Sequence, residues 1–307
     1  MNANNKKTKI QFPDEFFKEE VRCDYVVTEE MKKIWAIEID LLNELLKVCK
    51  KHDIKVIVYA GTLLGAIRHK GMIPWDDDVD VALTRVEYEK LCKIAPMEFK
   101  HPYFFQNYKT DPQYLFGFSR LRNSLTTGHI VGYDNTHYNN GIFIDIFVLD
   151  GLIDNTKLLK SQLRSLNYTL KIANLYKMNS FTTNPTKRMV KKAVMPIISF
   201  IMKKFVSYDK ITRTYDHILQ RYNYTTSKIS LITHPYSFAV KYCCESYDFD
   251  RIIYVPFENI NVPVPLNYDI MLNRIYGNYM EYPPLKERGK WHNGQIQFDP
   301  NIEYSKR

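Results

Sequence analysis

Four aspartates fall within five positions, Asp76, Asp77, Asp78 and Asp80, and they run into the alternation Val79-Asp80-Val81-Ala82-Leu83. At about 5 Å and an effective dielectric near 20, each pair of like charges costs roughly 3 kcal/mol. Such a cluster makes physical sense chiefly as a seat for a divalent cation with oxygen ligands, Mg2+ or Mn2+. Side chains on a strand alternate between faces, so a strand over 78–83 is expected to turn Asp78 and Asp80 one way and Val79 and Val81 into the core. Further along, Gly141-Ile142-Phe143-Ile144-Asp145-Ile146-Phe147-Val148 is an apolar run broken by one carboxylate. The run suggests a strand covered on both faces, where a carboxylate is penalised or driven neutral unless it meets a cation. A metal held by Asp78 and Asp80 would supply one, so Asp78, Asp80 and Asp145 are the expected metal ligands and catalytic residues.

Other groups suit a phosphorylated substrate. Gly61-Thr62 follows an apolar stretch and opens a helical one, offering backbone N–H groups to a phosphate. Arg68 leaves that helix with His69 and Lys70, and Arg120 and Arg122 stand two apart on a strand, sharing a face; a guanidinium grips phosphate with two parallel hydrogen bonds. Asp76 is a candidate outer ligand, and Trp75 is placed beside the metal ligands by its loop. Among 23 Tyr, 17 Phe and 3 Trp there are rings enough to cage a quaternary ammonium group, although most must be core. Lys286, Arg288, Lys290 and His292 could close over the site or lie solvated. His137 and His234 lack a motif partner, and no Ser, His or Cys pattern signals a covalent nucleophile.

Plainer and rival readings stand beside these. A Gly-Thr turn is often only a turn, and the arginines could be surface groups. Asp76, Asp78, Asp80 and Glu87 fit four positions of a calcium-binding loop, but Val81 stands where that loop needs Gly. Asp-x-Asp is also the metal motif of many nucleotide-sugar glycosyltransferases. A nucleotidyltransferase adding NMP from an NTP would use the same three aspartates, and a binding module without turnover also remains open.

The elements that must position these groups follow from periodicity. Thr28 caps a long helix to about His52, Ile54 to Tyr59 is a buried strand, Leu63 to His69 a short helix, and Thr84-Arg85-Val86-Glu87 a capping box opening a helix to about Ala95. Tyr103 to Asn107, Tyr114 to Asn123, Thr126 to Val131 and Gly141 to Leu149 are further strands. The pattern then turns helical to about Asn223, with a hairpin over Ile252 to Val264 and a last helix over Asn267 to Tyr276. The fold class is α/β (α+β): a mixed sheet flanked by helices over residues 1–152, followed by a mostly helical half over 153–307. At 307 residues the chain can bury a full core. Five scattered cysteines argue against a disulfide framework or zinc knuckle, and the polar N-terminus carries no secretory signal, so a cytoplasmic protein is expected.

The net charge of +9 is regional: Lys157 to Arg213 holds 13 of the 43 Lys and Arg residues and only Asp209 among the acids. Within it, Lys187 to Lys204 has an apolar middle flanked by lysines, too short to cross a bilayer but suited to an anionic membrane surface, or to packing on the protein body. Nucleic acid is not supported, since no base-stacking aromatics accompany the lysines.

The order Gly61-Thr62, short helix, Asp78-Val79-Asp80-Val81, then Ile144-Asp145-Ile146 resembles the nucleotidyltransferase fold. More narrowly, Gly61-Thr62-Leu63-Leu64-Gly65-Ala66-Ile67-Arg68, Ile73-Pro74-Trp75-Asp76 and Tyr276-Gly277-Asn278-Tyr279-Met280-Glu281-Tyr282-Pro283-Pro284 resemble the LicD family of phosphorylcholine and related phospho-alcohol transferases. The resemblance is weak between Leu152 and Tyr254, and Thr62 stands where the wider superfamily usually has Ser or Gly. It implies transfer of a phospho-alcohol from a donor such as CDP-choline to a glycan or glycolipid hydroxyl, with release of CMP, in cell-surface polysaccharide modification, by an enzyme in the cytoplasm or peripheral on the inner face of the membrane.

Overall fold

The computed structural model describes residues 7–112, 114, 117–131, 138–177, 197, 199–289 and 296–306. A small hairpin, β1 (Glu20–Arg22) and β2 (Tyr25–Val27), leads into the long helix α1 (Glu29–Lys51). Thr28 caps α1, its hydroxyl accepting the Met31 amide at 3.2 Å. From Ile34 to Leu42 every residue of α1 is buried, including Glu38 and Asp40, because the helix is covered by the sheet on one side and by the hairpins on the others. Asp40 is satisfied there by the Lys9 and Ile10 amides and the Tyr103 hydroxyl.

The central sheet is mixed. β3 (Ile57–Val58) pairs antiparallel with β4 (Asp80–Thr84), which pairs parallel with the ten-residue β8 (Ile142–Gly151). β8 pairs antiparallel on its other side with β6 (Ser119–Asn123), which carries the edge strand β5 (Tyr103–Gln106). The distal end of β8 takes β9 (Lys228–Ser230), and β9 takes β10 (Cys244–Glu245). Strands from either side of residue 152 thus share one sheet. β7 (Thr127–Ile130) pairs separately with β13 (Ile296–Asp299), and β11 (Ile252–Phe257) with β12 (Ile260–Pro265) form the expected hairpin about Glu258-Asn259.

Between β3 and β4 run α2 (Ala60–Leu64) and a π-helical turn (Gly65–His69), and α3 (Arg85–Glu98) follows β4, with Thr84 as its cap. α4 (Thr156–Lys177) and α5 (Tyr208–Leu219) pack together with α6 (Tyr236–Lys241) around a second, smaller apolar cluster that includes Leu159, Leu166, Ile218 and Leu219. α7 (Tyr268–Tyr276) packs back onto the main core through Met271 and Leu272.

Three strand expectations shorten. β4 begins at Asp80, so Asp78 lies in the preceding loop rather than on the strand beside Asp80. The loop is folded into a turn by the Asp76 amide on the Ile73 carbonyl, and the Trp35 indole donates to the Asp76 carbonyl. β3 spans two residues, because the Lys55 amide is taken by the Glu87 carboxylate at 3.0 Å rather than by a ladder. β6 begins at Ser119 rather than Tyr114.

Candidate active site

The register of three neighbouring strands builds the site. Asp80 on β4 is paired across the ladder with Asp145 on β8, and Asp145 in turn with Arg120 on β6. The three side chains stand in one row on one face of the sheet, as period-two alternation requires. Arg120 Nε donates to Asp145 Oδ1 at 2.6 Å, and its guanidinium lies 3.7 Å from the centre of the Phe143 ring. Burial works against the Arg120 charge, but Asp145 beside it raises its proton affinity. Asp145 thus meets a cation supplied by the protein itself.

The rest of the row is short of positive charge. Asp80 is buried, and burial followed by the fields of Asp78, Asp145 and Asp76 holds its carboxyl well above the usual range, with Arg120 pulling the other way. Asp76 is pushed up to about 7 by burial and by Asp77, against hydrogen bonds from the Asp77 backbone and from Asp78. A further carboxyl belongs to Glu38 in the middle of α1. It is fully buried, its Oε2 has no hydrogen-bond partner, and burial together with Asp77, Asp78, Asp76 and Asp80 raises its proton affinity strongly. Glu38 was not legible as a site residue, because it sits at a position of a helix whose neighbours are all apolar or structural; an acid at a fully buried helical position is the one signal that points to it.

Gly61 and Thr62 are placed against this acidic group. A Cβ at Gly61 would stand 3.0 Å from Asp76 Oδ2, so the missing side chain makes room for that carboxylate. Ala60, just before it, adopts φ +47°, a left-handed conformation that carries strain for a residue with a Cβ. The Thr62 hydroxyl accepts the Asp80 amide at 2.7 Å, so its shown role is to fix the start of β4.

Arg122, Arg68 and Trp75 are engaged with other partners. Arg122 is fully buried one row from Arg120, donating to the Gln106 side chain and to the Gly141 carbonyl, and burial and Arg120 lower it to about 9. Arg68 donates to the Tyr279 and Glu281 carbonyls, tying the turn after Gly65 to the C-terminal motif. Trp75 is already flanked by guanidinium groups, Arg288 at 4.6 Å and Arg68 at 5.9 Å, with Tyr25, His69 and Tyr282 at its edges. Arg288 is fixed there by the Pro283 and Cys23 carbonyls. Lys286 is exposed, whereas His137, Lys290 and His292 lie outside the described residues. The calcium-loop reading fails: Val81 is in β4, and Glu87 is in α3, bound to Lys55 and Lys90.

Rings border the row on the α6 side. Phe118 packs on Phe147 at 4.9 Å, Phe147 on His234 at 5.6 Å, His234 on Phe238 at 6.0 Å, and Phe238 stacks on Tyr242 at 5.3 Å. Two members of this series reach the carboxylates: His234 feels Asp145, and Tyr242 feels Asp80 and Asp78. Phe147 follows Asp145 by two residues on β8 and so shares its face, while Phe238 is partly open to solvent. His234 thus has aromatic partners that its sequence neighbourhood did not advertise.

Among the described residues, no group of three His, Cys, Asp or Glu side chains closes on one point as arranged. The donor set nonetheless fits a hard cation. Several carboxyls share one arginine, and Mg2+ typically takes one or two carboxylates and fills its remaining positions with water and substrate phosphate oxygens.

An α+β sheet that brings aspartates from adjacent strands together behind a Gly-Thr turn defines a nucleotidyltransferase-type domain. Comparison with known proteins narrows this. Residues 53–167 match the family described as LicD/FKTN/FKRP, nucleotidyltransferase domain. The chain is 25% identical over 268 residues to the lipopolysaccharide cholinephosphotransferase LicD of Haemophilus influenzae, covering 85% of this chain and 97% of that one. An uncharacterised protein of Rickettsia prowazekii is 39% identical over 56 residues, 18% of this chain and 21% of its own length.

Proposed function

We propose that this protein transfers phosphocholine, or a closely related phospho-alcohol, from a CDP-activated donor to a hydroxyl of a cell-surface glycan or glycolipid. It is a phosphotransferase of the LicD type, and lipopolysaccharide modification is the broad setting that its Haemophilus relative supports. The observation that carries the reading is the single row Asp80, Asp145, Arg120, with its surplus of carboxylate over guanidinium.

Asp78 and Asp80 are assigned to hold Mg2+ or Mn2+, which would neutralise charge on the donor diphosphate. Asp76 is assigned as an outer ligand beside them, and Glu38 closes the acidic group on the α1 side. Asp145 is assigned to take the proton of the attacking hydroxyl as its oxygen bonds to phosphorus and the bond to the CMP oxygen breaks. Arg120 positions Asp145 and offers positive charge to the phosphoryl group. Gly61 and Thr62 shape the turn beneath the phosphates, and the rings from Phe147 to Tyr242 form the wall against which a quaternary ammonium group would rest. Such transfers depend mainly on positioning and charge stabilisation rather than on a covalent enzyme intermediate.

The test incubates purified protein and Mg2+ with CTP, CDP-choline, CDP-ethanolamine and nucleotide sugars and follows CMP and pyrophosphate. CMP from CDP-choline, lost on chelation and restored by Mg2+ or Mn2+, is expected. Asp80→Asn and Asp145→Asn should each lower turnover by a factor on the order of 10³. Pyrophosphate from CTP would instead mean nucleotidyl transfer, and turnover of nucleotide sugars would mean glycosyl transfer.

A further inference from the structure

The described end of the basic segment is helical over 199–205, and residue 197 is helical too. A helix lying on a protein body ordinarily turns its apolar side inward and a polar side outward, but this one carries large apolar side chains on its outward side as well. Its inward side is Ser199, Met202 and Val206; Ser199 is buried and donates to the Tyr176 carbonyl at the end of α4 at 2.8 Å. The outward side carries Ile197 (63% exposed), Phe200 (63%), Ile201 (51%) and Phe205 (80%). Ile197, Ile201 and Phe205 follow one another at spacings of four along one line, with Phe200 beside it.

Lysines are interleaved with these side chains. Lys204 Nζ lies 4.8 Å over the Phe200 ring, and Lys203 Nζ lies 5.5 Å over the Tyr176 ring. The same line of α4 that ends at Tyr176 exposes Ile172 and Tyr168 one and two turns earlier, with Lys171 beside Tyr168. Along the sequence, Lys157 to Arg213 contains 13 basic residues against Asp209 alone. Among the described residues, no helix is long and apolar enough to cross a membrane.

We infer that this face seats the protein on an anionic phospholipid bilayer, with Ile197, Phe200, Ile201 and Phe205 in the boundary between headgroups and acyl chains and Lys203 and Lys204 on lipid phosphates. Exposed apolar side chains alone would suit a protein partner or a second copy. Lysines among them in a region nearly devoid of acids favour a negatively charged, apolar-cored surface, which is what such a bilayer presents. The long lysine stems reach the headgroups while lying along apolar surface. The inference does not depend on which donor or acceptor the active site uses.

The test is flotation of the full chain with vesicles of phosphatidylcholine alone and of phosphatidylcholine mixed with phosphatidylglycerol. Binding is expected only to the mixed vesicles, weakened by salt, and reduced about tenfold or more in Phe200→Ser/Phe205→Ser and in Lys203→Glu/Lys204→Glu. Both double variants should keep the wild-type melting curve and turnover on a water-soluble acceptor. Equal binding to neutral vesicles, unchanged binding in the variants, or a wild-type dimer in solution that the same phenylalanine substitutions convert to monomer would overturn it.

Discussion

The parallel pair β4–β8 buries an aspartate–arginine pair at each end, and the two ends do different things. At one end Arg85 meets Asp150 through two hydrogen bonds, with the Asn223 amide completing the Asp150 carboxylate at 2.9 Å. Burial works against the Arg85 charge, and Asp150 more than restores it. At the other end Arg120 meets Asp145 in the same manner, but Asp80, Asp78, Asp76 and Glu38 crowd the same space. A buried ion pair with matched charge and satisfied hydrogen bonds is a structural joint. The same pair beside a surplus of one sign is an unfinished site, because the low dielectric that strengthens the pair also strengthens the repulsion around it. Charge stoichiometry, rather than the presence of buried charge, separates function from architecture here.

The contrast can be broken most forcefully at its structural end. Arg85→Met leaves Asp150 buried without a cation and should cost about 3–5 kcal/mol, read as a drop in denaturant midpoint, while the protein that remains folded keeps its turnover. Asp80→Asn should do the opposite, removing activity while leaving the melting temperature equal to or above wild type, since it relieves repulsion. An Asp80→Asn protein as unstable as Arg85→Met would show that the acidic end is also a joint.

A smaller effect sharpens how the site is held. Thr62→Val strips the acceptor from the Asp80 amide, and a buried unsatisfied donor costs about 1–3 kcal/mol. Thr62→Ser should recover most of it. Should Val match wild type in stability and turnover, the hydroxyl has no part in placing β4.

The smallest expected effect concerns the C-terminal clamp, where cations face rings instead of carboxylates. His69, stacked on Tyr282 at 5.4 Å, is lowered to about 4 by burial and by Arg68, Arg22 and Arg288. The folded state therefore binds its proton more weakly than the unfolded chain, and stability from this group is present above about pH 6.5 and lost as pH falls towards 4. His69→Asn should flatten that part of the melting-temperature profile relative to wild type. Parallel profiles would remove His69 from the acid response.

Some of this was legible early because its determinants are local. Thr28 and Thr84 announce helix starts, Glu258-Asn259 announces a hairpin, and the apolar run around Asp145 announces a buried strand, each through side-chain spacing alone. The density of Asp76 to Asp80 likewise signals an acidic centre before any fold is known. The end of β4 was less legible: alternation continues through Asp78, but the turn built by Ile73 and Trp35 stops the strand at Asp80.

What the sequence by itself determined, then, is the kind of elements, the family resemblance and the residues whose charge demands a partner. Only the tertiary structure decided which partner each received. Arg120 and Arg122 are equivalent as letters two apart on one strand, yet register sets Arg120 opposite Asp145 and Arg122 opposite Phe143. Glu38 became part of the acidic group, and Trp75 was occupied by Arg68 and Arg288, through contacts between segments far apart in the chain. Pairing across a sheet and packing of a helix against a loop depend on distances in space, and those are fixed by the whole core at once rather than by any one stretch of residues.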